Sequence, residues 1–426
     1  MYLKNTSWLL FDRLVRIFGG LLIGIWIARY LGPSDFGILN YALAYIAFFQ
    51  IFVGLGLDQI VVREVVKYPK LTNYILGTTF GLKFCGSILA LIGVFISLLF
   101  IQTDHVTKTV IFILTIRMAF QSLDVIDYFF QAKVVSRYTV IARGLAFFFS
   151  SLLNIFFILY EYSLIYFALS LLIDLLLSAL FLWTIYQKNG YIVKQWKFSK
   201  KIAINLMKFA WPLALSAFLI SIHMKIDQVM IGNMLDIEQV GIYSAAVRLS
   251  EAWLFLPAIL VSTFMPYFIS LRESNNALYN YRLIQLYSYM FWMGVFVGLV
   301  VIIFGKSVVG LLFGAAYIDA YTALVFNIWN GIFISQAVAR GIWMISENLQ
   351  IYRLYSNIIV VVLNISVNLL LIPKYGIAGA AVATLITQAL GTWIVSLFWK
   401  PLRASTLAMI RSINPIYLFN FRKSSL

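Results

Sequence analysis

The sequence predicts an all-α integral membrane protein with about twelve transmembrane helices. Apolar residues make up 62% of the 426 residues, against ~45–50% in soluble domains, and the mean hydropathy is +0.93. A bilayer requires ~20 apolar residues per helical crossing. The apolar runs therefore predict spans at 8–30, 37–57, 75–101, 109–131, 138–160, 163–186, 207–232, 240–271, 285–305, 320–345, 351–373 and 377–399. The longest connection, 187–206, is too short to hold a folded domain, so any activity must be built from the spans.

Basic residues are distributed unevenly among the predicted loops. If the N terminus is cytoplasmic, the opposite side holds four of them: Arg29, Lys108, Lys306 and Lys374. The cytoplasmic side then holds twenty: Lys4, Arg63, Lys67, Lys70, Lys133, Arg137, Lys188, Lys194, Lys197, Lys200, Lys201, Lys208, Arg272, Arg282, Arg353, Lys400, Arg403, Arg411, Arg422 and Lys423. Because cytoplasmic loops are enriched in Lys and Arg, both termini are predicted to be cytoplasmic. The net charge of +16 then reflects topology and anionic lipid headgroups near segments such as 194–201, and not nucleic acid binding.

Cysteine and histidine are too rare for the common metal and redox sites. Cys85 has no second cysteine with which to pair, and His105 and His223 are the two histidines of the chain. We therefore predict no disulfide, no metal centre and no cofactor. The first span is too long for a signal-peptide core and is expected to remain in the mature chain.

An internal repeat divides the chain into two halves. The segment 31–42 (LGPSDFGILNYA) resembles the segment 235–246 (LDIEQVGIYSAA), which begins 204 residues later. Further matches at an offset of 214 residues join the fifth span to the eleventh: Tyr138 with Tyr352, and Asn154 with Asn368. The repeat predicts a six-helix lobe with a linker at 1–205, and a second six-helix lobe with a basic cytoplasmic tail at 206–426. Six spans per half make the repeat parallel, with a pseudo-twofold axis along the membrane normal and a substrate site between the halves.

Local features predict helix packing and kinks. Glycines spaced four apart indicate close packing within a lobe, at Gly20 with Gly24, Gly77 with Gly81, and Gly294 with Gly298. Pro257 and Pro266 are expected to kink the eighth span, because proline removes a backbone donor and its ring crowds the preceding turn.

Three runs carry a family resemblance: 29–37 (RYLGPSDFG), 227–232 (DQVMIG) followed by 241–246 (GIYSAA), and 375–384 (YGIAGAAVAT). They resemble the Wzx-type O-antigen and polysaccharide flippases of the multidrug/oligosaccharidyl-lipid/polysaccharide exporter superfamily. The resemblance implies a two-lobed, twelve-helix transporter in the bacterial inner membrane, not an enzyme. It further implies alternating access, by which an undecaprenyl-diphosphate-linked O-antigen (polysaccharide repeat) unit moves from the cytoplasmic to the periplasmic leaflet. Other polysaccharide-assembly membrane proteins are then candidate partners.

Basic residues within the spans are the candidate substrate-binding groups. A bare diphosphate would meet a barrier of tens of kcal/mol in hydrocarbon, and arginine binds phosphate in a bidentate manner while lysine offers a point charge. Intramembrane cations are costly and usually functional. The candidate cavity cations are Arg117, Arg248, Lys83, Arg143, Arg13 and Arg16. Arg13, Arg16 and also Arg340 lie near predicted cytoplasmic ends, where snorkelling to headgroups is an alternative explanation.

Acidic residues within the spans are the candidate ion-coupling groups. They are Asp124, Asp127, Asp227, Glu251 and Asp174, and the resemblance implies coupling to protons or sodium. Several have structural alternatives: Glu251 is three residues from Arg248 and can pair with it on one helical face, and Asp227 is close to Lys225. In the fourth span, a polar stripe recurs every three or four residues, at Arg117, Gln121, Asp124, Tyr128 and Gln131, with Asp127 beside it. Such a stripe must face a cavity or another helix.

Two other functions fit a basic, multi-spanning chain. A cation-coupled drug extruder of the same fold would favour an acidic cavity, whereas here eight basic residues lie within the spans against six acidic ones, counting Asp12. A glycan polymerase or ligase in the membrane usually has a large periplasmic loop, and every predicted outward loop is shorter than about twenty residues. The flippase is therefore favoured over both alternatives.

Overall fold

The computed structural model describes the backbone of residues 2–101, 103–347 and 349–419, and the side chains of residues 14–418 apart from 102, 345, 348 and 350. Within these residues the structure is helical and contains no strand. The α-helices are α1 (Tyr2–Ala47), α2 (Gln50–Gly54), α3 (Asp58–Lys67), α4 (Thr72–Phe100), α5 (His105–Phe120), α6 (Val125–Ala132), α7 (Arg137–Leu159), α8 (Leu164–Lys188), α9 (Lys200–Met234), α10 (Ile237–Glu251), α11 (Phe255–Ser274), α12 (Asn276–Phe313), α13 (Ala320–Ser346), α14 (Gln350–Ala389), α15 (Arg403–Arg411) and α16 (Ile416–Phe419).

Ten segments of the described residues are long and apolar enough to cross a membrane. Two of them contain a glycine in the left-handed region: Gly32 in α1 with φ 72°, and Gly376 in α14 with φ 60°. Glycine adopts this conformation without a steric penalty, and each break falls between two predicted spans. Each break divides one long segment into two crossings, so the ten segments correspond to the twelve predicted crossings. The all-α membrane fold is confirmed.

The eighth predicted span is divided into α10 and α11 by turn residues at 252–254. Pro257 therefore lies in the first turn of α11, where its missing N–H has no helical acceptor to lose, while Pro266 lies inside α11. The end of α10 at Glu251 also reflects the repeat. It lies 204 residues after the end of α1 at Ala47, which equals the offset of the repeated sequence.

Helix starts follow from capping residues that the sequence places in the loops. Asp104, Asp236 and Asn275 each accept a hydrogen bond from the backbone N–H three residues later, which satisfies one of the free donors of the first turn. Asp104 also accepts from the hydroxyl of Thr107 at 2.6 Å. Burial raises the pKa of Asp104, but the hydrogen bonds from Thr107, together with those from the backbone of Asp104 and Val106, lower the pKa overall.

The chain divides into two compact units, Met1–Lys225 and Ile226–Leu426. The core of the first unit surrounds Phe129, Phe130 and Tyr186, and the core of the second surrounds Tyr279, Tyr287 and Met290. Other members of the first core are Leu206 and Ala210, so the first turns of α9 pack with the unit that precedes them. The lobes predicted at 1–205 and 206–426 stay a prediction.

The glycine pairs have different environments. A Cβ atom at Gly294 would lie 2.6 Å from Ile332, and one at Gly298 would lie 3.0 Å from Trp329. The predicted close helix packing at these two glycines is confirmed, and the neighbouring helix is α13. Gly77 and Gly81 instead contact the linker, at Lys197 and Phe198. Gly20 has open space around it, and the prediction of close packing is wrong there.

Candidate functional site: polar clusters within the spans

The predicted polar stripe of the fourth span faces other helices of the first unit. The span is not one continuous α-helix, because a 3₁₀ turn at Gln121–Asp124 joins α5 to α6. Along it, Gln121 accepts a hydrogen bond from the side chain of Gln50. Gln131 donates to Asp127 at 3.1 Å, and the remaining stripe residues form the contacts described next. Several residues of the stripe therefore contact other side chains of the first unit, and that the stripe also faces a cavity stays a prediction.

Arg143 on α7 lies between two carboxylates of the stripe. Its Nη2 atom is 3.2 Å from Oδ1 of Asp124 and 3.0 Å from Oδ2 of Asp127. The Oδ1 atom of Asp127 accepts from the hydroxyl of Thr139 at 2.7 Å. Two candidate acids and one candidate cation therefore form a single cluster, in which Asp127 is buried and Asp124 and Arg143 are half-buried.

Lys83 is connected to the same cluster through a tyrosine. The side chain of Lys83 is buried and donates to the hydroxyl of Tyr128 at 2.9 Å. Tyr128 in turn donates to Oδ1 of Asp58 at 2.6 Å, and Lys83 also interacts electrostatically with Asp124. A cation, a phenol and a carboxylate thus form a hydrogen-bonded chain from the buried Lys83 on α4 to the exposed Asp58 at the start of α3.

Arg117 on α5 has a different environment. Its guanidinium interacts electrostatically with Asp174 on α8, and Asp174 accepts a hydrogen bond from Ser150 at 3.0 Å. The Nε atom of Arg117 is buried and has no hydrogen-bond partner among the described residues. The hydrogen-bonding capacity of this donor is therefore unused among the described residues.

The other candidate cations are less well defined. Arg248 interacts electrostatically with Glu251, which agrees with the predicted pair on one helical face. Arg16 lies over the ring of Phe147, 5.9 Å from its centroid. The side chain of Arg13 lies outside the described residues, as does that of Asp12.

Asp227 is the centre of a polar cluster in the second unit. Its Oδ1 atom accepts from Asn368 at 2.7 Å. Its Oδ2 atom accepts from the hydroxyl of Tyr243 at 2.7 Å and from that of Thr384. All three donors are neutral, and Asn368 also donates to Asn364 at 3.3 Å. A buried carboxylate surrounded by neutral oxygen-bearing and amide groups suits the binding and release of a small cation.

Sequence reasoning did not assign this shell to the candidate site. The sequence identifies Asn368 only as the repeat counterpart of Asn154. Both asparagines are buried. Asn154 accepts from Ser170 at 2.7 Å, so the matched positions hold polar contacts in both units. Asn364 and Asn368 are four residues apart on one helical face, and this spacing within an apolar span was the signal that could have identified them.

Arg340 also differs from its predicted environment. It does not extend to a headgroup layer, because it is buried, with 4% of its surface exposed. Its Nη1 atom donates to Ser396 at 2.6 Å, and its Nη2 atom donates to the carbonyl oxygen of Thr392. Thr392 lies in the π-helical turn Leu390–Ile394, where the widened turn leaves carbonyl groups without their usual helical donors. Arg340 therefore stabilises this turn.

A family model described as "Polysaccharide biosynthesis protein" matches residues 2–272 of the chain. This match covers more than half of the sequence. The chain belongs to the polysaccharide biosynthesis protein family.

Similar proteins extend beyond the matched region. The capsular polysaccharide biosynthesis protein CapF of Staphylococcus aureus is 24% identical over 409 residues, which cover 93% of this chain and 99% of the relative. An inward-facing structure of a multidrug resistance MATE family transporter of the MOP superfamily superposes with a TM-score of 0.73 at 15% identity, covering 93% of this chain and 95% of the other. The lipid II flippase MurJ, in an inward closed conformation, superposes with a TM-score of 0.69 at 15% identity, covering 98% and 93%.

These similarities establish the fold of this polysaccharide biosynthesis family member. It has the fold of the MATE and MurJ structures, and it is a multi-pass membrane protein. The family membership and the shared fold agree with the resemblance to polysaccharide flippases that the sequence carries.

Proposed function

We propose that this chain is a flippase that moves a polyprenyl-diphosphate-linked oligosaccharide across the membrane by alternating access. The polysaccharide biosynthesis family supports a glycan cargo. The fold shared with a lipid II flippase over 98% of the chain supports transport rather than glycan polymerisation or ligation. Within this class we propose an undecaprenyl-diphosphate-linked O-antigen or related polysaccharide repeat unit, delivered from the cytoplasmic to the periplasmic leaflet of a bacterial inner membrane.

The observation that carries the proposal is the environment of Arg117. A diphosphate can leave water only where cations and hydrogen-bond donors replace its hydration. Arg117 lies in a membrane-spanning helix, and its Nε donor has no partner among the described residues. Its electrostatic partner Asp174 accepts a hydrogen bond from Ser150, so the carboxylate that attracts the guanidinium is itself held in place.

Arg143 and Lys83 contribute to the same function in a different way. Arg143 forms an ion pair with Asp127, and Lys83 donates a hydrogen bond to Tyr128, all within the first unit. We propose that these residues position the polar wall of the first unit, and that Arg117 contacts the diphosphate. Arg248 of the second unit stays a candidate contact. Arg13 and Arg16 stay candidate contacts near the cytoplasmic end.

We further propose that Asp227 is the ion-coupling group. Its three neutral donors leave the carboxylate without a counter-charge among its hydrogen-bond partners. Binding a proton or a sodium ion would neutralise it. Asp124, Asp127 and Asp174 have basic electrostatic partners, which favour a structural role, and Glu251 is exposed beside Arg248.

The experiment compares Arg117→Ala, Arg117→Lys and Arg137→Ala in cells whose surface glycan depends on this gene. Arg137 is the matched control, because its exposed guanidinium contacts the neighbouring Tyr138. We expect Arg117→Ala to abolish glycan display at a normal protein level, Arg117→Lys to restore part of it, and Arg137→Ala to leave it unchanged. Lipid-linked repeat units should accumulate on the cytoplasmic side.

Two results would contradict the proposal. Full glycan display with Arg117→Ala would exclude Arg117 as a diphosphate contact. Normal display in a strain that lacks the gene, combined with increased sensitivity to cationic drugs, would favour the drug extruder.

A further inference from the structure

The helix α15, which follows the last span, has apolar and basic side chains on its outer face. Arg403, Leu407, Ile410 and Arg411 are exposed, and helical periodicity places all four on one face. Leu407 is 48% exposed and Ile410 is 39% exposed. Leucine and isoleucine between two arginines are an unfavourable surface for water, but they suit the boundary between headgroups and acyl chains.

The inner face of α15 carries neutral polar residues, and these attach the helix to the second unit. Ser405 is buried and shares a hydrogen bond of 3.0 Å with the hydroxyl of Tyr287 on α12. Ser412, directly after the helix, accepts from Gln336 on α13 at 3.1 Å, and Met409 belongs to the core of the unit. The helix is therefore fixed in orientation, and its apolar outer residues cannot turn inward.

The contact with Tyr287 also defines the depth of α15. The stretch of α12 between Arg282 and Lys306 contains twenty-three residues without a charge, and a crossing requires ~20. Tyr287 lies little more than one helical turn from Arg282, at the end of this stretch. Helix α15 therefore lies beside the boundary of the membrane, on the side where α12 begins.

The charge of this region is of one sign. Residues 400–426 contain five basic residues and no acidic residue: Lys400, Arg403, Arg411, Arg422 and Lys423. The Nε atom of Arg403 donates to the carbonyl oxygen of Leu397 at 2.8 Å, which holds this side chain next to the end of the last span.

We propose that the outer face of α15 binds the headgroups of anionic lipids. Lys400, Arg403 and Arg411 contact lipid phosphates, and Leu407 and Ile410 enter the upper acyl region between them. Through Ser405 and Ser412 the bound lipids hold the ends of α12 and α13 at the membrane surface. This interaction is independent of the cargo, so it can hold or fail separately from the proposed flippase function.

The test uses the full-length protein with Cys85→Ser and Leu407→Cys, labelled with an environment-sensitive fluorophore. The protein is reconstituted in phosphatidylcholine vesicles with increasing amounts of phosphatidylglycerol, and quenching by lipids that carry a quencher near the headgroup is measured. We expect quenching to rise with phosphatidylglycerol and to fall at high salt. Because each basic residue near the surface contributes ~1 kcal/mol, Arg403→Gln and Arg411→Gln should each weaken this preference about fivefold.

The control variant is Lys306→Gln with Lys374→Gln, which removes two exposed basic residues on the opposite predicted side. It should leave the lipid preference unchanged. A label that stays in water in every vesicle would overturn the proposal and would leave this face to a protein partner, since the vesicles contain none. Quenching that is equal in both lipids and insensitive to the arginine variants would show a purely apolar contact, and would also overturn it.

Discussion

The Nη2 atom of Arg143 lies 3.0 Å from Oδ2 of Asp127, and this ion pair joins α7 to α6 within the first unit. The side chain of Asp127 is 5% exposed and that of Arg143 is 31% exposed. The pair is thus partly shielded from water. The buried carboxylate needs protein donors to replace its hydration, whereas the more exposed arginine can still contact water. This asymmetry predicts which member of the cluster matters most for stability.

Replacing Asp127 with alanine should destabilise the protein more than replacing Asp124. Asp127 accepts from Thr139, Gln131 and Arg143, whereas among the described residues Asp124 accepts one hydrogen bond, from Arg143. A hydrogen bond to a charged group contributes ~1.5–3 kcal/mol, so we expect a loss of about 2 kcal/mol or more for Asp127→Ala and about half of it for Asp124→Ala. Denaturant unfolding in detergent micelles measures both. Equal losses would contradict this ranking.

The chain of Lys83, Tyr128 and Asp58 should behave as a coupled unit. Tyr128→Phe removes the acceptor of the buried Lys83, and an unsatisfied buried donor costs ~1–3 kcal/mol. In the double variant Lys83→Met with Tyr128→Phe both partners are apolar, so the total loss should be smaller than the sum of the single losses. A double-mutant cycle from thermal unfolding tests this. Strict additivity would mean that the hydrogen bond contributes nothing measurable.

The linker before α9 should detach when Gly77 gains a side chain. A Cβ atom at Gly77 would lie 2.6 Å from the backbone nitrogen of Lys197, a nitrogen that donates to the carbonyl oxygen of Asn73 at 3.2 Å. Gly77→Ala should therefore release the linker and speed tryptic cleavage at Lys194 and Lys197. Gly20→Ala is the matched control, because nothing lies within 4 Å of its Cβ position, and alanine is the better helix former. If both variants are cleaved at the same rate, the linker is not held through Gly77.

The architecture was largely predictable from the sequence because the bilayer restricts the possible structures. Apolar length alone identified the spans, and the helix breaks at Gly32 and Gly376 fall between predicted spans. Gly77 shows the limit of this reasoning. Its spacing with Gly81 suggested a neighbouring helix, but spacing indicates only that some backbone approaches closely, and here that backbone belongs to a loop.

The partners of the candidate residues were less predictable. Local pairs such as Arg248 with Glu251 follow from helical spacing, whereas Arg143 with Asp127, or Asp227 with Asn368, join residues from different helices. Their proximity depends on how the spans pack, and the apolar pattern that defines a span does not specify its neighbours. Arg340 was misinterpreted for a related reason, since its position near a helix end gave no sign of the π-helical turn that it stabilises.

Topology gives a prediction that is independent of the site. The bias of twenty basic residues against four predicts that both termini and the 187–206 linker lie in the cytoplasm. In a Cys85→Ser background, cysteines introduced at Lys197 and Ser424 should resist an impermeant thiol reagent in intact cells and react after the membrane is opened. A cysteine at Lys306 should react in intact cells. Labelling of Lys197→Cys in intact cells would show that the linker faces the periplasm and that the predicted orientation is wrong.

Asp227→Asn should remove the response of the protein to its coupling ion while leaving the fold intact. The substitution keeps the size of the side chain, but an amide group then stands where the carboxylate accepted hydrogen bonds from Tyr243 and Thr384, and at least one of these bonds is lost. The free energy of unfolding should therefore fall by about 1–3 kcal/mol. The wild-type protein should gain thermal stability from the coupling ion, because a ligand that binds only the folded state stabilises it by mass action. Melting temperatures are compared in sodium and in potassium, and across a pH series. The stabilising response should be absent in Asp227→Asn and present in the control Asp174→Asn. If Asp227→Asn keeps the response and Asp174→Asn loses it, the coupling group lies in the first unit, next to Arg117.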